Sequence, residues 1–155
     1  MQLSNLPELD ADVLGQLPDG PLGVALSGGG DSLALMHLLH DWGGRELRAV
    51  TVDHGLRPAS IAEALRAGEL AAALGIEHKI FKWDHNGVSG NLQDAARIAR
   101  RQLIGDWTKE NGIPAVALGH TADDQAETFL MRLARGSGLD GLAAIKNIII
   151  TSKIH

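Results

Sequence analysis

With 155 residues, of which 45% are hydrophobic and 21% charged, the chain has room for one domain with a substantial core. It contains no cysteine, which excludes disulfides, thiolate nucleophiles, sulfur carriers and cysteine-ligated clusters built from these residues. A net charge of −5 argues against a broad nucleic-acid interface, and no apolar run is long enough to span a bilayer or serve as a signal, so a cytoplasmic location is expected. The acidic excess lies in residues 1–90, whereas residues 91–155 are nearly balanced.

Residues 1–20, with Pro7 and Pro18 around Leu9, Val13, Leu14 and Leu17, read as a leading segment with a short helix that ends before "PDG". "LGVALS" at 22–27 reads as the first strand. Three glycines follow it, and from Asp31 to Trp42 the spacing of Leu35, Leu38, Leu39 and Trp42 predicts a helix with one apolar face. "LRAVTVD" at 47–53 is a second strand; the helix predicted over 60–74 opens with Ser60 and Glu63 in a capping-box relation. "EHKIFKWD" at 77–84 is a third strand, followed by a helix over 91–111 that turns Leu92, Ala95, Ala96, Ala99 and Leu103 inward. "AVALGH" at 115–120 is a fourth strand. After it Thr121 reads as the N-cap of a helix stacking Ala126, Phe129, Leu130 and Leu133. "NIIIT" in the tail could form a further strand. Alternating strands and helices imply an α/β fold, an open doubly wound parallel sheet of Rossmann-like type with helices on both faces.

Ligands of such sheets bind beyond the carboxyl ends of the strands, where strand order reverses. Two strand ends carry unusual residues: Ser27, Gly28, Gly29, Gly30, Asp31 and Ser32 after the first strand, and Gly119, His120, Thr121, Ala122, Asp123 and Asp124 after the fourth. If those strands are neighbours, both loops face one crevice. The glycine turn lacks the lysine of a Walker loop, and Leu33 stands where a dinucleotide fingerprint needs its third glycine. What remains is a turn without side-chain bulk leading into a helix N-terminus, which favours a polyphosphate. Asp31 would repel a bare phosphate, so it makes sense there with a bridging Mg2+. A tight strand-to-helix turn capped by the aspartate is the plain alternative.

The wider pattern bears on that choice. "SGGGDS" resembles the pyrophosphate-binding loop of the ATP pyrophosphatases, and "VDHGLRPAS" (52–60), "NLQDAAR" (91–97) and "GHTADDQAETFLMRLARGSGLDGLAAI" (119–145) resemble the isoleucine-tRNA lysidine synthetases. The resemblance spans about residues 20–145. It implies a fold like that of the adenine nucleotide alpha hydrolases and an ATP-dependent carbon–nitrogen ligase. In that reaction the C2 oxygen of a wobble cytidine of isoleucine tRNA is adenylated with release of pyrophosphate, and the amine of free L-lysine then displaces AMP.

The resemblance puts Ser27, Gly28, Gly29, Gly30, Asp31 and Ser32 at the pyrophosphate, with Asp31 as the metal residue, and Asp53 and His54 beside the adenosine. It assigns Arg97 and His120 to adenylation and Asp124 and Glu127, with Asp31, to the incoming lysine. Arg132 and Arg135 fall near the substrate. For His54 a helix cap or a partner for a nearby carbonyl is the favoured reading; Asp123 reads as a first-turn acid, and Arg100 and Arg101 as a solvated face. Arg101 also stands where the family's pattern has an aromatic residue. Other adenylating enzymes with this loop, amide-forming or tRNA-thiolating, and a noncatalytic nucleotide-binding module are the alternatives; the absence of cysteine weighs against thiolation.

The expected organisation is a leading segment at 1–20, an ATP-binding catalytic domain at 21–146, and an atypical tail at 147–155 where the chain is expected to stop short of tRNA-binding domains. No membrane contact is expected, and a homodimer is left open.

Overall fold

The computed structural model describes residues 14–27, 29–122, 125–132 and 147–151. Six strands form one sheet: β1 (Leu22–Leu26), β2 (Leu47–Asp53), β3 (Glu77–Lys82), β4 (Ala115–Ala122), β5 (Gln125–Arg132) and β6 (Asn147–Thr151). Three helices connect the first four strands: α1 (Gly30–Trp42), α2 (Ser60–Ala73) and α3 (Leu92–Glu110). The strand order is β3-β2-β1-β4-β5-β6; β3, β2, β1 and β4 run parallel, and β5 and β6 add antiparallel strands beyond β4.

Alternation along the parallel strands sorts the core into two layers. Leu22, Val24 and Leu26 of β1, Leu47 and Ala49 of β2, and Ala115 and Ala117 of β4 pack with Leu35, Met36 and Leu39 of α1 and Ala67 and Ala71 of α2. The opposite side chains, among them Ala25, Val50, Val52, Val116 and Leu118, pack with Ile104 and Trp107 of α3. Helices therefore cover both faces, as the fold class read from the sequence requires, and all five residues of β1 are buried. Each fully buried leucine contributes roughly 1.5–3 kcal/mol through removal of its surface from water.

Gly23 lets α3 sit close to β1. A Cβ there would lie 3.1 Å from Val116 Cγ2 and 3.2 Å from the Trp107 ring. Gly23→Ala is expected to destabilise the fold by about 1–3 kcal/mol through overpacking, measurable by urea unfolding.

Several local expectations are corrected. Ser60 and Glu63 do not form a capping box: Ser60 Oγ donates to Asp53 Oδ1 (2.6 Å) with the Arg57 carbonyl 2.8 Å away, while Glu63 pairs with Arg57 (2.8 Å). Ala59, not Ser60, is the N-cap, and the Glu63 N–H donates to the Ala59 carbonyl, so the Ser60 hydroxyl has no capping amide to serve and turns to the Asp53 carboxylate. On α3, Leu92 is exposed, and Ala96, Ile104 and Trp107 make the buried stripe. Asn91 caps this helix, its side-chain oxygen accepting from Gln93 N (3.1 Å) and Asp94 N (3.4 Å).

The helix expected from Thr121 is instead the end of β4 and the strand β5, which includes Ala126, Phe129 and Leu130; Leu133 lies outside the described residues. A short apolar run such as "TFLM" fits either periodicity, and the open hydrogen-bonding edge of β4 decides for a strand. "NIIIT" forms β6 on the far side of β5. Among the described residues no helix is long and apolar enough to cross a membrane.

Candidate functional site

The parallel register brings the two unusual strand ends together. Ala25 pairs with Leu118, so β1 runs into its glycine turn beside the Gly119–His120 end of β4. Leu26 pairs with Thr51, which puts Asp53 and His54 just beyond the same edge on the other side. A strand-order reversal at β1 thus creates the crevice where α/β sheets bind ligands.

One hydroxyl fixes the glycine turn. Ser32 is buried, and its Oγ accepts from Ser27 N (3.1 Å) and donates to the Gly29 carbonyl (3.0 Å), with Ser27 Oγ 3.2 Å away. Ser32 therefore braces the two ends of the turn. Gly29 caps α1 in an extended conformation (φ −80, ψ 158) without a side-chain cap. A Cβ on Gly30 would meet nothing within 4 Å, and one on Gly29 only Ser27 Oγ at 3.5 Å. Neither glycine is demanded by packing among the described residues. The space they leave open, at the positive end of a helix, fits a polyphosphate. Asp31 is the second residue of α1.

Beside the turn lies a cavity of about 310 Å³, lined among others by Ser27, Asp53, His54, Leu56, Arg97 and Arg100. This is the lower end of the size range of small-molecule sites. Asp53 is buried; its Oδ1 accepts from Ser60 Oγ and from Gly55 N (2.9 Å). The Ser60 hydrogen bond is the largest cause holding this carboxyl below the usual 3.8, against the opposing effect of burial.

His54 stands with its ring edge-on to Trp83, centroids 6.2 Å apart, and its Nδ1 is buried without a hydrogen-bond partner. Burial first, and the Arg100 charge second, push the imidazole below its ordinary 6.5, only partly opposed by Asp53. It is a buried ring with one polar atom unpartnered among the described residues. His54 caps none of the three helices, whose N-caps are Gly29, Ala59 and Asn91.

Arg100 corrects the expectation most. It is not on a solvated face but half-buried in the cavity wall, its pKa lowered by burial, and among the described residues no carboxylate pairs with it. A guanidinium in that position calls for an anion. Arg97 also lines the cavity, but its side chain is 76% exposed and reaches Asp94 only at 3.9 Å. Arg101 is exposed, as expected. The signal for Arg100 was present in the sequence: it lies four residues after Ala96 and seven before Trp107, on the buried stripe of α3.

The other candidates fall as follows. His120 lies near the end of β4 and pairs in register with Glu127 of β5, so two site candidates are backbone neighbours. Gly28, Asp123, Asp124 and Arg135 lie outside the described residues. The i, i+3 spacing of Asp124 and Glu127 does not carry its helical meaning where Glu127 belongs to a strand. Arg132 pairs with Ala115, at the end of β4 opposite to His120. No cluster of three potential metal ligands occurs among the described residues.

Acid should weaken this fold through two histidines. Burial lowers the pKa of both His54 and His78, whose Nε2 lies 2.8 Å from Thr51 Oγ1. The unfolded chain then binds more protons than the native one, so stability falls as pH drops through 6.5 and Asp53 adds a further loss below 3.8. Urea midpoints measured across that range should fall with acid, less steeply in His78→Gln.

Three comparisons bear on this site. The model of the PP-loop domain family matches residues 7–155. The tRNA(Ile)-lysidine synthase of Ruegeria pomeroyi is 53% identical over 131 residues, covering 83% of this chain and 31% of that protein. That of Zymomonas mobilis subsp. mobilis is 47% identical over 135 residues, covering 86% and 41%. The chain thus spans 31% and 41% of the length of these two relatives. Among solved structures, the U34-tRNA thiolase NcsA of Methanococcus maripaludis with its [4Fe-4S] cluster is similar in fold, with a TM-score of 0.59 at 25% identity over 78% of this chain and 43% of that one.

Proposed function

Because this chain belongs to the PP-loop domain family, we propose that it is the ATP-binding, adenylating part of a tRNA(Ile)-lysidine synthase, active on the wobble cytidine of an isoleucine tRNA and on free lysine. The observation that carries the reading is the meeting, at one edge of the sheet, of an uncluttered glycine turn, a cavity with a half-buried arginine that no carboxylate pairs among the described residues, and the Gly119–His120 strand end. The identity of about half of all aligned positions to two such synthases supports the same substrate class.

In this reading the turn from Ser27 to Ser32 holds the β and γ phosphates on backbone amides, and the adenosine occupies the cavity with Asp53 and His54 beside it. His54 Nδ1 accepts a hydrogen bond from the nucleoside. Arg100 and Arg97 face the α-phosphate from α3 and, with His120, stabilise the charge that grows as the cytidine oxygen attacks. One or two carboxylates plus phosphate oxygens is a common way for proteins to hold Mg2+, and Asp31 is the carboxylate of the turn; the ion would neutralise phosphate charge. Asp31, Asp124 and Glu127 receive the lysine ammonium ion, and one of them takes up its proton so that the amine can displace AMP. Thiolation is a poorer reading, because these 155 residues supply no cysteine.

The test is incubation with ATP, lysine and isoleucine tRNA, followed by nucleoside mass spectrometry, beside an ATP titration. ATP binding is expected, with weak lysidine formation at most from these residues alone, and Asp31→Ala abolishing both. Pyrophosphate release that tracked another acceptor would replace this reading, and ATP binding without any release would reduce the chain to a nucleotide-binding module.

A further inference from the structure

A second, larger cavity of about 610 Å³ opens on the other side of the 53–60 loop, lined by Arg57, Ile61, Lys82, Trp83, Asp84 and His85 among others. It shares Asp53, Arg57 and Ser60 with the first cavity but none of the glycine-turn residues. Its occupant therefore sits next to the nucleotide without touching the turn.

Two aromatic rings set at an angle to each other lie in the cavity wall, held in place by the chain. Trp83 packs against the core under α3, its backbone N–H donates to the Asp53 carbonyl (2.8 Å), and its ring meets His54 edge-on. His85 lies at 5.7 Å from the Trp83 ring, tilted by 55°. Gly55, in a left-handed conformation (φ 64), brings the loop close to this ring pair: a Cβ there would be 3.7 Å from His85 Nε2. Asp84 and Asn86 add hydrogen-bonding groups at the rim, with Asp84 Oδ1 already accepting from Asn86 N (2.9 Å).

Charge is balanced here. Arg57 is engaged by Glu63 at 2.8 Å, and the Lys82 charge is felt by Asp53. A site with flat π faces, polar rim groups and little net charge suits a nucleobase better than a phosphate or a small charged metabolite.

We propose that this cavity binds one unpaired nucleobase of the RNA substrate, the neighbour of the nucleotide that is modified, stacked on Trp83 with its edge toward His85. The proposal rests on the reading that an RNA strand reaches the glycine turn. Holding a flanking base would fix where the reacting cytidine falls relative to ATP, which makes Trp83 and His85 positioning residues.

The test uses the whole 155-residue chain with saturating ATP, a fluorescein-labelled pentacytidylate RNA followed by anisotropy, and tryptophan emission recorded in parallel. The RNA should quench tryptophan emission. Trp83→Ala and His85→Ala should each weaken binding about tenfold or more, with Trp83→Phe within about threefold of wild type. Because one lysine at most is free to meet a phosphate, the salt slope of log K should be no steeper than about −1. His85, on a loop, guards against a Trp83→Ala variant that fails to fold. Absence of binding, unchanged affinity in both alanine variants, a steep salt slope, or competition by free lysine and not by cytidine would each overturn the base site. ATP binding measured in the same samples separates the two ideas: RNA binding that ignores Trp83 while ATP binds sinks only the base site, whereas a chain that does not bind ATP sinks the functional reading.

Discussion

Gly30→Val is expected to lower ATP affinity by about a hundredfold, close to 2.8 kcal/mol, while leaving the thermal midpoint within a few degrees of wild type. The two halves of that expectation rest on the same observation. A Cβ at Gly30 meets nothing within 4 Å, so among the described residues there is open space where a side chain would start. Gly30 is the first residue of α1 and has no left-handed backbone to preserve; replacing glycine in a helix by a residue with a side chain is neutral or favourable. A polyphosphate cradled by backbone amides must come within hydrogen-bond distance of the chain, and a branched side chain stands in that path. Gly30→Ala should show the same separation in milder form, with unchanged or slightly raised stability and roughly tenfold weaker binding. Calorimetric titration with ATP and with inorganic pyrophosphate, beside thermal unfolding, checks both halves. If stability and binding fell together, the turn would be an element of the fold and not a ligand cradle.

The parallel part of the sheet was legible because strands buried on both faces must be apolar throughout. "LGVAL" and "AVAL" are such runs, and each of the strands β1, β2 and β3 is followed by a helix long enough to cross back. Strand adjacency was conditional in the sequence and is settled by the β1–β4 pairing, on which the meeting of the two motifs depends. Chemistry after Thr121 was less legible. The residues between 121 and 132 satisfy helical spacing, yet pairing with β4 answers more backbone groups than spacing can foresee. Side-chain partners were the least legible of all. Nothing local says that the Ser60 hydroxyl would turn back to Asp53, seven residues earlier, or that Ser32 would brace Ser27 across the turn. Such bonds depend on a buried acceptor or donor delivered by the fold, and composition does not carry that information.

Arg100→Gln is expected to lower kcat/KM for pyrophosphate release by about a hundred- to a thousandfold, the usual cost of removing one group aimed at charge in a transition state. Arg97→Gln should cost no more than about fivefold, since an exposed guanidinium three quarters open to water is screened. The contrast follows from where α3 turns its faces. Ala96, Ile104 and Trp107 dock on the sheet, and Arg100, on the same stripe but nearer the ligand end, reaches into the cavity where its burial has no carboxylate to offset it among the described residues. An arginine held that way costs stability unless an anion arrives, so Arg100→Gln should leave the apo protein as stable as wild type or slightly more so. Arg100→Lys should recover only part of the activity, because an ammonium supplies the charge without the planar fork. A spectroscopic readout separates this role from a structural one. The Arg100 charge is one of the causes that lower the His54 pKa, so its removal must raise the His54 titration midpoint, while the burial contribution remains. An upward shift of His54 in an NMR titration, together with lost pyrophosphate release and retained stability, is the expected set. If His54 did not move and activity survived, Arg100 would not face the α-phosphate, and the cavity beside the glycine turn would need another source of positive charge.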